Sequence, residues 1–119
     1  MCSSDLSFIT SDACPEGTGS ASYERWMEGV TCYEAVFEKF KREGFRVGPH
    51  KAYQIARDAS RVRTFMLSQM PHDLVKRLLL NPIADLNQAL SLALADLPFG
   101  ARIGVMPMAN STIPVLRNT

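Results

Sequence analysis

The chain has 119 residues, 46% of them hydrophobic, and a formal net charge of +1, which marks one globular domain with a single apolar core and no charge imbalance to name a partner. No apolar run approaches the roughly 20 residues that cross a bilayer, and no basic stretch followed by an apolar one opens the sequence. A cytoplasmic protein is therefore expected, without secretion or membrane insertion.

The first six residues, Met1 to Leu6, resemble the translation of a sequencing-adapter read-through and are set aside as a non-native tail, leaving 7–119 as the domain proper. A native polar tail is the other reading. Ser7 to Thr10 then reads as a strand cut off on its N-terminal side. Asp12 to Ser20 is a loop by its Pro, Gly and Ser content. A glycine-rich turn between strand and helix can cradle an anion with its amides, which makes Gly17 and Gly19 anion-loop candidates. The loop lacks the Lys-Ser/Thr of a P-loop and the third glycine of a dinucleotide fingerprint, so a plain strand-to-helix connection stands beside that reading.

Ser20 or Ser22 is placed to cap a short helix from Tyr23 to Glu28, with Trp26 as its anchor in the core. Thr31 with Glu34 has the spacing of a capping box for a second helix, whose apolar face is Tyr33, Val36, Phe37 and Phe40 and whose end is Gly44. Gly48-Pro49 starts a third helix, because proline in the first turn loses no hydrogen bond and brings its φ ready-made. Ala52, Ile55, Ala56 and Ala59 give that helix a narrow stripe suited to close packing on a sheet. His50 lies in its first turn, where a side chain looks out past the helix end, with Lys51 beside it. Val62 to Leu67, apolar and β-branched without a helical period, reads as a buried strand.

Pro71 opens a helix carrying Leu74, Val75, Leu78 and Leu79, which stops before Asn81-Pro82. Asp85 with Gln88 starts a fifth, in which Leu86, Ala89, Leu90, Ala93, Leu94 and Leu97 follow the clearest amphipathic period of the chain. Pro98-Phe99-Gly100 breaks it, and Ala101 to Met106 reads as a third strand. The expectation is an α/β fold: a small Rossmann-like three-layer domain with a short, mostly parallel sheet of about three strands and about five helices. Ligands of such sheets gather at the carboxyl ends of the strands, here the loops after Thr10, Leu67 and Met106.

Between Lys39 and Arg63 eight basic residues stand against Glu43 and Asp58. Such a strip can steer anions or nucleic acid, yet no aromatic residues interleave with it as a single-strand platform requires, so a solvated face is expected and no nucleic-acid partner. Cys2, Cys14 and Cys32 are odd in number and form no C-x-x-C pair, which argues against a disulfide framework or a zinc knuckle. Reduced structural thiols are expected, and His72, also in a first helical turn, reads as solvated.

Four stretches in order, Ala-Cys-Pro-Glu-Gly-Thr-Gly-Ser at 13–20, Tyr-Glu-Arg-Trp at 23–26, Gly-Pro-His-Lys-Ala-Tyr-Gln-Ile-Ala-Arg at 48–57 and Ala-Arg-Ile-Gly-Val-Met-Pro at 101–107, resemble the C-terminal domain of the nickel-dependent lactate racemase family. Their order and spacing carry the resemblance, which covers nearly the whole chain from Ser7. It implies a two-domain 2-hydroxyacid racemase or epimerase that uses a nickel-pincer nucleotide: a hydride leaves the substrate's Cα for the cofactor and returns to the opposite face, while paired histidines handle the hydroxyl proton. In that family the histidine pair, the cofactor-bearing lysine and the nickel-ligating histidine belong to an N-terminal domain that is missing here. The resemblance therefore implies no catalytic residue and no metal ligand in this chain, no cofactor held by it alone, and no racemase activity without its N-terminal domain, the expected partner together with a small 2-hydroxy acid. Tyr53-Gln54 is not the family's Tyr-Gln motif, which lies upstream. His50 matches a position where the family places an aromatic residue or histidine that closes over the active-site cleft, so His50 and Lys51 are the expected cleft residues.

Two other readings stay open. One is a small anion- or nucleotide-binding module built on Gly17 and Gly19, which predicts a pocket of converging amides there. The other is a structural or interaction domain, which predicts neither a pocket nor a His50 that faces a cleft.

Overall fold

A computed structural model describes residues 6–115 and 117. Three short strands, β1 (Ser7–Ser11), β2 (Arg63–Leu67) and β3 (Asn81–Pro82), form a parallel sheet in the order β1-β2-β3. Five helices accompany them: α1 (Ala21–Trp26), α2 (Tyr33–Glu43), α3 (His50–Ala59), α4 (His72–Arg77) and α5 (Leu86–Ala95). The chain is thus an α/β domain with a three-stranded parallel sheet and five α-helices. Apart from Leu6, the stretch read as a foreign tail lies outside the described residues, and so does Cys2.

Register sets the two faces of the sheet. Ile9 stands opposite Phe65 and Ser11 opposite Leu67, while Phe8 and Thr10 stand opposite Thr64 and Met66 on the other face. Both crossovers, β1 to β2 and β2 to β3, step the same way across the sheet, so right-handed connections put α1 to α4 on one face. The fifth helix covers the opposite face, where Ala89 and Ala93 bury Phe65 and Ile83 with Ile9 and Leu67 alongside. Phe65 is 3% exposed, and its burial contributes about 2 to 3 kcal/mol. Asp96 at the end of α5 pairs with Arg63 at the start of β2, which pins the helix across the sheet.

The larger core lies among the helices. Tyr23, Trp26 and Met27 of the α1 region meet Val36, Ala52, Ala56 and Leu78 there. The alanine stripe of α3 therefore packs on α1 and α2, and not on the sheet as the sequence suggests. Small side chains favour any close approach, and two helices intervene before the chain returns to the sheet. Lys39 fastens α2 to the end of α1: its Nζ donates to the Trp26 carbonyl at 2.6 Å and lies 4.5 Å from the centre of the Trp26 ring.

Most helix starts obey their sequence signals. Ser20 Oγ accepts from the Tyr23 N–H, and Gly44 ends α2 at φ +81°. Asp85 Oδ1 accepts from the Gln88 N–H at 2.7 Å, while Gln88 Oε1 accepts from the Ala84 N–H at 2.8 Å. The Thr31–Glu34 box does not form. The N-cap is Cys32, without a side-chain bond, which leaves Thr31 one residue too early and Glu34 in the second helical position instead of the third.

The third strand is also misplaced by the sequence. Ala101–Met106 has no regular structure, and the sheet is completed by Asn81–Pro82. Leu79 turns the chain at φ +64°, Asn81 Nδ2 donates to the Thr64 carbonyl, and the Ile83 N–H donates to the Met66 carbonyl. A proline is tolerated in this strand because it lies at the edge of the sheet, where half the donors face solvent. The carboxyl-end loops are therefore those after β1, β2 and β3, and the loop after Met106 is not one of them.

Candidate functional site

In a parallel sheet with returning helices, helix starts and strand ends share one side of the domain. Gly48 shows how closely two of them meet here. Its backbone has φ +98°, and a Cβ at that position would lie 2.1 Å from Ser22 Oγ and 3.3 Å from Ser20 Oγ. The start of α3 is thus pressed against the start of α1, which joins two stretches that are far apart in sequence, 17–22 and 48–51. Pro49 continues into helical geometry at φ −55° and ψ −24°.

His50 is half-buried at this junction. The Gly48 N–H donates to its Nδ1 at 3.0 Å, so the neutral ring carries its proton on Nε2. Nε2 bonds none of the described residues. Phe45 flanks the imidazole at 5.4 Å between ring centres and is itself 70% exposed, with Val47 81% exposed nearby in sequence. The arrangement is a fixed N–H donor on a partly apolar surface. Lys51 is exposed, and its side chain bonds none of the described residues. One helical turn on, Tyr53 stacks on Phe40 at 4.8 Å and meets Phe37 edge-on at 5.8 Å, which holds α3 against α2.

The glycine loop is already supplied with a carboxylate. Glu24 Oε1 accepts from the Thr18 N–H at 3.0 Å and from Thr18 Oγ1 at 2.8 Å. These bonds hold the Glu24 carboxyl below its ordinary range, with Arg77 adding a smaller push the same way. At Gly17, φ +85°, a Cβ would approach Glu24 Oε1 to 2.8 Å, so a side chain there would have to push that carboxylate aside. Gly19, at φ +73°, faces open space. A surface hollow of about 280 Å³ is lined by Glu28, Ala35, Glu38, Lys39 and Arg42 among others, and includes none of Gly17, Gly19 and His50.

The other candidates are scattered. Cys14 sits at φ +43°, and burial, helped by the charge of Asp12, pushes its thiol pKa up and so disfavours the nucleophilic thiolate. His72 is exposed at the start of α4. The basic strip is divided over α2, α3, β2 and the connections between them, and Arg46, Arg57 and Arg63 are paired with Glu43, Asp58 and Asp96. Among the described residues no three His, Cys, Asp or Glu side chains come together as metal ligands, and no helix is long and apolar enough to cross a membrane.

Sequence reasoning finds His50 from the Gly-Pro signal but misses Phe45 and Ser22. Phe45 lies in an unpatterned connection, and Ser22 reads only as a cap. Comparison with protein-family models, with curated proteins and with solved structures finds no match for this chain.

Proposed function

We propose that this chain is the cleft-closing lobe of a 2-hydroxyacid racemase or epimerase of the lactate racemase type, inactive without the domain that carries the cofactor. The observation that carries the reading is His50: a half-buried imidazole locked by the Gly48 amide, with Nε2–H free to donate at the side of the domain where helix starts and strand ends meet. A donor fixed in this way suits the carboxylate or hydroxyl oxygen of a small acid, and Phe45 places an apolar ring beside it. Among the described residues no three His, Cys, Asp or Glu side chains converge as ligands for nickel, so no step through the nickel-pincer nucleotide is assigned to them. Their part is to bind, orient and enclose.

A free-standing anion-binding module has less support, because the amide such an anion would take is bonded to Glu24. The test is co-expression with the cofactor-bearing N-terminal domain of a lactate racemase-type protein, followed by a racemisation assay over a panel of 2-hydroxy acids with cofactor supplied. Activity is expected only from the assembly. His50→Ala should lower kcat/KM by about 10- to 100-fold, and His50→Gln, which keeps an N–H donor near the Nε2 position, should lose less. A folded, cofactor-loaded assembly that is inactive over the whole panel, or indifferent to His50→Ala, contradicts the proposal.

A further inference from the structure

The sheet has an unguarded edge. Strand β1 bonds β2 on one side and none of the described residues on the other. Its residues, Ser-Phe-Ile-Thr-Ser, include no charge and no proline, and they run in unbroken register with β2, so neither charge, proline nor bulge keeps a partner off this edge. The Asp12 N–H donates to the Leu67 carbonyl; because donors alternate along a strand, the amides of Phe8 and Thr10 point at β2 and those of Ile9 and Ser11 point outward.

The same chain contains a strand without a sheet. In Ala101–Met106, Ile103 and Val105 alternate with Arg102, Gly104 and Met106, and they are 61% and 79% exposed. No backbone group from Arg102 to Met106 bonds any described residue. Six extended residues span about 20 Å, enough to run the length of β1, and Pro107, which has no N–H to give, follows where such a strand would stop.

Topology brings the two together. Helix α5 crosses the face opposite α1 to α4 and rests on β1 and β2, so it has come back over the sheet from β3. Running against the strands, it returns the chain to their amino ends, and Gly100 at φ +84° turns it there. A parallel strand laid next on the outer side of β1 completes the doubly wound order 3-2-1-4, with crossover helices on opposite faces for the two directions of winding. The side chains of α5 are arranged for it. Leu86, Leu90 and Leu94 form one row beside the buried seam of Ala89 and Ala93, and Leu86 and Leu94 remain 51% and 42% exposed. Viewed along α5 from its start the row lies clockwise of the seam, the side that a right-handed winding turns past the open edge of β1.

We infer that residues 101–106 are a docking strand for the outer edge of β1 in the same molecule, with Ile103 and Val105 covered by the Leu86–Leu94 row. The docked strand places a topological switch point beside β1, so that a crevice opens at the loop 12–20. Amide exchange in the isotopically labelled 119-residue chain tests this. Docking predicts that Ile9 and Ser11 exchange at least about 100-fold more slowly than free peptide amides, independently of protein concentration, and that Val105→Asp removes this protection while Phe8 and Thr10 keep theirs. Fast exchange at Ile9 and Ser11 beside a protected Thr10 overturns the inference. Protection that grows with concentration together with a doubled mass also overturns it, in favour of a second copy on the edge, and protection unaltered by Val105→Asp assigns the edge to some other segment.

Discussion

At Gly48 the backbone does two things that no other residue can do in its place. It occupies φ +98°, where a side chain is strained, and it lets the first turn of α3 touch Ser22. Gly48→Ala is expected to destabilise the fold by about 2 kcal/mol or more and to release the imidazole of His50, since the amide that holds Nδ1 moves with it. Urea unfolding reads the first effect and the His50 ring resonances the second. Tyr23 offers a cleaner titration. Its ring is 2% exposed, its hydroxyl has no bonding partner among the described residues, and burial, with a smaller push from Glu24, raises its pKa from 10.0 to about 12. Below pH 10.0 the folded and unfolded chains both hold this proton; between 10.0 and about 12 only the folded chain holds it, so its contribution to stability is lost as pH rises through that window. Tyr23→Phe removes the dependence. Urea unfolding of both proteins across the window should show the wild type losing about 2 to 3 kcal/mol more than the variant by its upper end. Equal slopes would mean that the hydroxyl is solvated. Residue-level signals in the sequence were read well where they are local, as with Gly-Pro before His50. Contacts such as Ser22 with Gly48 depend on the returning chain and leave no local mark.

Among the elements, α5 and β3 show the two extremes of legibility. Helix α5 carries a cap and a reciprocal glutamine, both of which form, while of its apolar period only Ala89 and Ala93 are buried and Leu86 and Leu94 stay exposed. Asp85→Ala should therefore cost about 1 kcal/mol in urea unfolding; no change would mean that packing on Phe65 alone holds the helix start. Strand β3 is only two residues long and ends in proline, so it has no period to read and its sequence resembles a stop signal. It is a strand because β2 supplies register, through the Ile83 amide and the Asn81 side chain. The segment 101–106 differs in the other direction: its alternation is that of a strand, but alternation alone does not pair it, and here it has no regular structure. The alanine stripe of α3 was legible as a buried seam, but the partner of a seam is decided by the two helices inserted between β1 and α3.

For the whole molecule, class and winding followed from the alternation of helices and strands, and the two cores follow from the winding. The helical core around Tyr23 and Val36 and the sheet core around Phe65 lie on opposite sides of the sheet, and the His50 corner belongs to neither. That corner is where a lobe that completes another domain should meet it, with Phe45 and Val47 exposed beside a fixed N–H donor. The most direct measurement is a titration of the isotopically labelled chain with the cofactor-bearing N-terminal domain of a lactate racemase-type protein, following backbone amide shifts. The account predicts shifts centred on Phe45, Val47, His50 and the Ser20–Ser22 turn, with α5 unmoved. Shifts confined to α5 or the edge of β1, or none at a concentration where the two polypeptides co-purify, would contradict it.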